Sequence, residues 1–375
     1  MRIAITAAAG ITLALSSLHT LQAGSLLGPG EFEESGPSEV SLSQELEGRI
    51  EKLAQDFPGM SLVVRSPLGI VTERHFGFED IEEANRVGRE TRFNLYSVSK
   101  LVTGYGFAAM ASSDRQDLST ELGSILPHIP SNLSALTLRQ LLTHSAGIRH
   151  YRGREDWIAF AMRSCSKPSE AISYFEDDAL LFEPGTERQY STFGYVLLSA
   201  VLMGTTGVSD FEQALADAIG FEPGLSIDHA GRDDLATGYL ATSEGFRTLP
   251  SFDASCKFGG GGLVGSADQL ARFGVLIIDN ATLDDETLLS LLKSEALDEH
   301  PGYAFGAGFG EIEIEGVGST SFLTVGGGAA GGRGYLMVLP ELDLSIALAA
   351  NAEGDGEKVA RLVQAIAREV APRRR

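Results

Sequence analysis

The pattern Ser-x-x-Lys occurs three times in this sequence of 375 residues, beginning at Ser97, Ser164 and Ser290. Residues three apart on a helix share a face, so the serine and lysine side chains can touch. A serine hydroxyl is an effective nucleophile only when a nearby base takes its proton, and a lysine can be that base if burial lowers its pKa. The chemistry that this spacing allows is acyl transfer through a covalent serine intermediate.

Only Ser97 stands in a context that suits this chemistry. The extended stretch Phe93–Tyr96 precedes it, and an apolar helix is predicted from Leu101 onward, so Ser97 lies at a helix N-terminus. A backbone N–H there has no partner within the helix and can bind a developing oxyanion. Ser97 and Lys100 are therefore the candidate nucleophile and its partner.

The other candidate nucleophiles lack that context. Pro168 follows Ser164–Lys167 and disfavours helical geometry at the lysine. Ser290–Lys293 is predicted to lie inside an amphipathic helix, where backbone N–H groups are already bonded. Thr143–Gly147 resembles a nucleophile elbow without its first glycine. We interpret His144 as a helix-end residue followed by a turn.

The sequence predicts no metal and no cofactor. A zinc site needs three or four ligands at short spacings, whereas the closest histidines, His144 and His150, are six residues apart and no H-E-x-x-H motif occurs. Gly260–Gly265 and Gly326–Gly331 both match G-x-G-x-x-G. Neither follows a clear apolar strand that opens a βαβ unit, so we do not expect a dinucleotide site.

The composition is that of a globular protein with an acidic balance. Hydrophobic residues make up 43% and charged residues 21%, and the formal net charge is −22. A chain of this length can bury a large core in one large domain or two lobes. The negative charge disfavours nucleic acids and anionic membrane surfaces as partners, because both would repel it.

The N-terminus has the pattern of an export signal. Arg2 precedes the apolar run Ile3–Leu18, and Leu21–Ala23 is a plausible cleavage site, which predicts a signal peptide over residues 1–23. A flexible leader rich in Gly, Pro, Ser and Glu is predicted over 24–43. We therefore expect a secreted or periplasmic protein with no stable membrane insertion after cleavage.

Cys165 and Cys256 are the two cysteines of the chain. An exported protein can pair them, but only geometry decides whether two distant thiols meet. A disulfide and two buried free thiols therefore both remain open.

Strand patterns occur at both ends of the chain and helix patterns in the middle. This order predicts one sheet built from both termini (about 44–95 and 257–375) around an inserted helical lobe (about 96–256). The predicted strands are Ser61–Arg65, Gly69–Glu73, Gly308–Glu315, Gly334–Leu339 and Leu344–Ala350. The predicted helices include Leu42–Phe57, Thr137–His144, Trp157–Arg163, Tyr195–Met203 and Glu357–Val370, and Phe93–Ser113 begins extended and becomes helical.

Five ordered blocks resemble the serine β-lactamase and penicillin-binding protein superfamily in its class C-like branch. They are Phe93–Lys100 (FNLYSVSK), Leu138–Ile148, Phe182–Leu198, Gly260–Phe273 and Gly326–Pro340. The segments HSAGIRHY and YSTFGY are most similar to the mitochondrial β-lactamase-like serine proteases. The resemblance implies an α/β (α+β) fold with an antiparallel sheet flanked by helices and an inserted all-helical lobe.

The resemblance also implies roles by position. Ser97 would be acylated with Lys100 as its partner, and Tyr190 would take or relay the serine proton. A phenol can take that proton only if a cation such as Lys100 stabilises the phenolate. The backbone N–H groups of Ser97 and Gly328 would form the oxyanion hole.

Two departures from the superfamily pattern concern substrate binding. Thr192 stands where most relatives have Asn, and so lacks an amide that donates and accepts; the mitochondrial branch is similar in this respect. Val325, followed by Gly326 and Gly327, stands where relatives have K-T-G or H-x-G. Val325 offers no charge for a substrate carboxylate, as in carboxylesterases of the superfamily that carry an apolar residue there, so its presence favours an ester substrate.

The sequence therefore predicts a secreted serine hydrolase that acts through a Ser97 acyl-enzyme on an ester or amide, which is a small molecule or a peptide. Peptidase and β-lactamase-like activity follow from the resemblance, and esterase activity follows from Val325. The alternative is a non-catalytic protein that keeps the fold, either to bind cell-wall peptide or to act as a scaffold, since the mitochondrial relatives form filaments.

Overall fold

The strands of the main sheet come from the two ends of the chain. The computed structural model describes residues 40–228, 234–250, 253–280 and 303–371. The strands within these ranges are β1 (Gly59–Ser66), β2 (Gly69–Asp80), β3 (Asn85–Arg86), β4 (Arg92–Asn94), β5 (Ser226–Ile227), β6 (Tyr239–Thr242), β7 (Gly245–Thr248), β8 (Leu263–Ser266), β9 (Tyr303–Ala304), β10 (Ala307–Ile314), β11 (Gly318–Ala329), β12 (Gly332–Leu339) and β13 (Leu344–Ala350).

The helices lie mainly between the two sets of strands. They are α1 (Gln44–Ala54), α2 (Ser99–Ser112), α3 (Leu122–Ile125), α4 (Ser131–Ser134), α5 (Leu138–Leu142), α6 (Arg154–Ala161), α7 (Pro168–Ile172), α8 (Thr192–Thr206), α9 (Phe211–Ile219), α10 (Ala267–Asn280) and α11 (Gly356–Val370). Short 3₁₀ turns cover Tyr96–Val98, Ser255–Gly260 and Pro340–Leu342. Of the helices described, none by itself is long and apolar enough to cross a membrane, and α8 and α9 reach that length together only across a 72° bend.

The main sheet is antiparallel and joins the chain ends at its centre. Its order is β3-β2-β1-β13-β12-β11-β10-β9, and β1 pairs with β13 from Met60 opposite Ala350 to Arg65 opposite Ser345. This arrangement confirms the predicted fold class, an antiparallel sheet flanked by helices and built from both ends of the chain.

Both faces of the sheet are covered, because alternate side chains point to opposite faces of a strand. Val63 and Ala347 belong to the apolar cluster that includes α2, α8 and α10. Leu62 and Ile346 belong to the second cluster, formed with α1 and α11. Nearly all residues of β1 and β13 are therefore buried.

The inserted segment is mainly helical but not entirely so. Its centre is α2, whose residues are buried on almost every side, as expected of a helix that is apolar all round. The segment also contributes β5, which pairs with β8, and the β6–β7 hairpin. The expectation of an all-helical lobe is wrong in this detail, because the last part of the insert forms short strands against its neighbours.

The structure differs from the sequence-based predictions at some elements and agrees with them at others. The strand β11 was not predicted from periodicity, because its sequence (GSTSFLTVGGGA) is rich in Gly, Ser and Thr. Lys167 is extended rather than helical, as Pro168 predicts. His144 follows the end of α5 with φ of +57°, which confirms its interpretation as a helix-end residue. The predicted signal peptide, the leader up to residue 39 and Ser290–Lys293 lie outside the described residues.

A disulfide joins Cys165, just before α7, to Cys256 in the 3₁₀ turn Ser255–Gly260. The Cα atoms are 4.8 Å apart, and the Cys165 N–H also donates to Ser255 Oγ at 3.0 Å. Cys165 and Cys256 therefore form a disulfide and are not two buried free thiols, the alternatives that the sequence left open. The bond ties the turn to the helical lobe across 91 residues of chain.

Removing the disulfide should lower stability. A cross-link that closes so long a loop restricts the unfolded chain, so replacing both cysteines by serine should lower the free energy of unfolding by about 2–5 kcal/mol. Urea denaturation of the oxidised protein and of the double variant Cys165→Ser/Cys256→Ser measures the difference. Dithiothreitol should destabilise the parent and leave the double variant unchanged, and an equal response of the two would contradict the prediction.

Candidate active site

Ser97 lies in the 3₁₀ turn that leads into α2, and three contacts of its neighbours fix this turn. Ser99 Oγ donates to the Tyr96 carbonyl at 2.6 Å and accepts from the Leu263 N–H at 3.0 Å, which joins the turn to β8. The Tyr96 hydroxyl donates to the Ala330 carbonyl at 2.8 Å. Tyr96 has φ of +48°, a conformation that a bulky residue adopts only when its surroundings hold it there. The turn is thus held against β8 and against Ala330, the residue that follows β11.

Lys100 brings an amine to Ser97 from one helical turn further on. Its side chain is fully buried, and Nζ lies 3.3 Å from Ser97 Oγ and 3.2 Å from Thr192 Oγ1. Nζ also donates to the Gly260 carbonyl and lies 4.8 Å from the centre of the Tyr190 ring. Burial lowers the pKa of Lys100 to about 7, because the charged form loses its hydration. A lysine in this state can accept a proton near neutral pH.

Tyr190 contacts the same serine from the other side. Its hydroxyl oxygen lies 2.6 Å from Ser97 Oγ. Burial raises the pKa of Tyr190 to about 12, and hydrogen bonds with Ser97 and Thr192 oppose this rise. The lowered pKa of Lys100 and the raised pKa of Tyr190 together favour a neutral phenol beside an amine that can accept a proton.

The glycine-rich end of β11 lies against Ser97. A Cβ atom on Gly327 would come within 2.7 Å of the Ser97 backbone nitrogen, so only glycine allows this approach. β10 pairs with β11 only as far as Thr324, so in the part of the chain that the structure describes, Val325–Ala329 has β12 on one side and no strand on the other. Gly328 is the next residue along this strand edge.

The predicted substrate-binding residues lie in two places: Thr192 lies beside Lys100, and Val325–Gly327 lie on β11. Thr192, at the start of α8, is buried, and its hydroxyl meets Lys100, so replacement of the usual Asn leaves this contact in place. Val325 is only 3% exposed and belongs to the core cluster. Gly326 faces the Tyr335 ring on the adjacent strand. Val325 is thus part of the packing beneath the site and not a wall of an open cleft.

Three residues that sequence reasoning did not assign to the site lie next to it. The rings of His144 and His150 have their centres 4.8 Å and 5.2 Å from that of Tyr190. Lys257 is buried near the rings of Tyr96 and Trp157, and burial lowers its pKa to about 8. The available signals were polar side chains in the family-like segment HSAGIRHY and just before the family-like block Gly260–Phe273. Across the described ranges, no group of three or more His, Cys, Asp or Glu side chains could hold a metal ion.

The chain is similar to two curated proteins over part of their length. It is 24% identical to Protein flp of Staphylococcus aureus (strain N315) over 153 residues, which cover 40% of this chain and 30% of that protein. It is 22% identical to the human serine beta-lactamase-like protein LACTB, mitochondrial, over 287 residues, which cover 58% and 52% of the two chains. The chain thus spans about a third to a half of the length of these relatives.

Solved structures share the fold at low sequence identity. A penicillin-binding protein from Bacillus halodurans superposes with a TM-score of 0.71 at 20% identity, covering 87% of this chain and 100% of that one. The hydrolase EstCE1 gives 0.66 at 20%, covering 87% and 99%. A class C beta-lactamase from Rhodobacter sphaeroides gives 0.65 at 18%, covering 88% and 99%.

The match to a family model extends over nearly all of the described chain. The model described as Beta-lactamase matches residues 44–371, which run from the start of α1 to the end of α11. These residues include the serine, lysine and tyrosine that the fold brings together. The chain therefore belongs to the Beta-lactamase family, in the superfamily of serine β-lactamases and penicillin-binding proteins.

Proposed function

We propose that this protein is a serine hydrolase that forms an acyl-enzyme on Ser97 and releases it with water. One observation carries the proposal: Ser97 Oγ lies 2.6 Å from the Tyr190 hydroxyl and 3.3 Å from the amine of the fully buried Lys100. A nucleophile within hydrogen-bond reach of a base with a pKa near the working pH is the arrangement that covalent catalysis needs.

The partners of Lys100 orient its lone pair. A neutral amine has two N–H donors and one lone pair. The Gly260 carbonyl can only accept, and so it takes one N–H. Thr192 Oγ1 can accept the second, which leaves the lone pair for the Ser97 hydroxyl. Lys100 then takes the serine proton as Oγ attacks the substrate carbonyl carbon.

The tetrahedral intermediate needs donors for its oxyanion and a proton for its leaving group. The N–H groups of Ser97 and Gly328 are the proposed oxyanion hole, and the close approach of Gly327 to Ser97 supports it. Tyr190, as a neutral phenol, can pass a proton to the leaving group and be resupplied from Lys100. Collapse of the intermediate then breaks the bond to the leaving group. Water repeats the attack on the acyl-enzyme with the same proton acceptor.

The proposed substrate is an ester, or a reactive amide without a required carboxylate. Val325 supports this choice, because the position at which relatives carry a cation is apolar and buried here. The fold neighbours include EstCE1, described as a hydrolase with promiscuous acyltransferase activity, and a D-stereospecific amidohydrolase from Streptomyces. Peptidase activity is the second candidate, supported by the resemblance of HSAGIRHY and YSTFGY to the mitochondrial β-lactamase-like serine proteases.

We also propose that the protein works in an oxidising compartment, secreted or periplasmic. The disulfide between Cys165 and Cys256 supports this, since such bonds persist mainly outside the cytosol. The acidic net charge of −22 supports a small-molecule or peptide partner over a nucleic acid.

Replacing the nucleophile should abolish activity. Wild type should hydrolyse p-nitrophenyl butyrate and be labelled by a fluorophosphonate probe, and Ser97→Ala should lose labelling and at least about 10³-fold of kcat/KM. Ser164→Ala, at the exposed serine of the second Ser-x-x-Lys pattern, serves as the control that should still be labelled. A folded wild type without labelling or turnover would instead favour the non-catalytic binding protein.

Activity should rise with pH through about 7. Below this value Lys100 is protonated and has no lone pair, so log kcat/KM should increase by about one per pH unit and level off above it. Lys100→Met should lower kcat/KM by about 10²–10⁴-fold. Lys257→Met, at a second buried lysine of the described residues, is the matched control and should keep the rise near pH 7. A wild-type profile that is flat from pH 5 to 9 would exclude Lys100 as the base.

Wild type should prefer esters to β-lactams. Without a cation at Val325, we expect kcat/KM for p-nitrophenyl butyrate to exceed that for nitrocefin by about 10²-fold or more, since an unmatched substrate carboxylate costs several kcal/mol. Steady-state assays with both substrates on one preparation measure the ratio. Efficient nitrocefin hydrolysis would contradict the argument from Val325.

A further inference from the structure

Two histidines from one loop enclose the catalytic tyrosine. The loop runs from the end of α5 to the start of α6 and contains His144 and His150. The His144 ring lies tilted against Tyr190, with ring centres 4.8 Å apart, and the His150 ring meets it edge-on at 5.2 Å. Tyr190 is thus contacted by an imidazole on two sides while its hydroxyl reaches Ser97.

The same imidazoles accept hydrogen bonds from the backbone that follows Tyr190. The Ser191 N–H donates to His144 Nδ1 at 3.2 Å, and the Thr192 N–H donates to His150 Nδ1 at 3.3 Å. Both amides lie at the N-terminus of α8, where backbone N–H groups lack partners within the helix. The Ser191 hydroxyl accepts from the Gly194 N–H and not from these two amides. The two histidines therefore supply the acceptors that the Ser191 and Thr192 N–H groups do not find within the helix.

Further bonds fasten the tyrosine segment to the histidine loop. The Gln189 N–H donates to the His144 carbonyl at 2.9 Å, and Ser191 Oγ donates to the Arg149 carbonyl at 2.7 Å. The chain is therefore held on both sides of Tyr190. A displacement of the loop would move the phenol relative to Ser97.

An accepting Nδ1 requires a neutral ring with its proton on Nε2. Burial lowers the pKa of His144 well below its usual value, and Lys100, Arg188 and His150 lower it further. Burial and then Lys100 and Arg149 lower the pKa of His150 to about 4, against an opposing effect of Asp156. The positive end of the α8 dipole also disfavours an imidazolium at this place. Both rings can therefore remain acceptors at neutral pH.

We propose that His144 and His150 are positioning residues of the hydrolase: as neutral imidazoles they accept the amide N–H groups of Ser191 and Thr192 and so hold the Tyr190 hydroxyl on Ser97. This inference rests on the proposed function for its kinetic consequence. Its structural part, the state of the two rings, stands on the hydrogen bonds alone.

The kinetic test compares asparagine with leucine at His150, because the φ of +57° at His144 favours Asn over Leu whatever the side chain accepts. The Asn Oδ1 atom occupies nearly the place of Nδ1 and can accept the same N–H, whereas Leu fills space without an acceptor. His150→Leu should lower kcat for p-nitrophenyl butyrate by about 10–100-fold with KM within about threefold, because the tyrosine is misplaced but binding is not removed. His150→Asn should recover at least about a third of wild-type kcat.

Two kinetic results would overturn the proposal. One is a folded leucine variant with wild-type kcat. The other is an equal loss in the leucine and asparagine variants, which would show that shape and not the acceptor matters. Circular dichroism and thermal unfolding of each variant establish that the comparison is made on folded protein.

A second measurement does not depend on activity. Spectra of protein labelled with ¹⁵N in the histidine rings report which nitrogen carries the proton. We expect Nε2–H and an unprotonated Nδ1 for both rings at pH 7. An Nδ1–H or an imidazolium on either ring would overturn the proposal. If wild type is inactive while both rings show the expected state, the proposed function fails and the assignment of the two acceptors stands.

Discussion

The desolvation of the Lys100 amine is the constraint on which the rest of the site depends. An ammonium group buried without water is costly, so the lysine either loses its proton or finds acceptors. Here it has three oxygen neighbours, from Ser97, Thr192 and Gly260, and its pKa falls to about 7. The cost of burial is thus what allows this lysine to accept a proton near neutral pH.

The three oxygens come from three distant parts of the chain, and the fold brings them together around the Lys100 amine. Ser97 lies in the turn that leads into α2, and Lys100, the second residue of that helix, is fully buried. Gly260 lies in the turn that the disulfide ties down, and a Cβ atom there would come within 2.7 Å of the Thr192 carbonyl. Glycine at position 260 is therefore a requirement of packing.

Tyr190 differs from Lys100 in what fixes its position and its protonation state. Its backbone is held by the loop that contains His144 and His150, and burial raises its pKa to about 12. The phenol therefore stays neutral beside the amine. The same burial lowers the pKa of the amine and raises the pKa of the phenol.

Local sequence determined the parts of the protein that depend on near neighbours along the chain. Ser97 and Lys100 are three residues apart, so helical geometry alone brings them together, and the apolar patterns placed strands at both ends and helices between them. The role of Tyr190, 93 residues from Ser97, came only from the order of the family-like blocks. The sequence could not tell whether Cys165 met Cys256, nor that Val325 is buried.

Only the tertiary structure decided the pairing of the two cysteines and the burial of Val325. It also decided the pKa of Lys100 and the contacts of His150 with Thr192 and Tyr190. The physical reason is common to all of them. Distances between remote residues and the loss of hydration depend on how the whole chain packs, and no spacing along the sequence encodes either quantity.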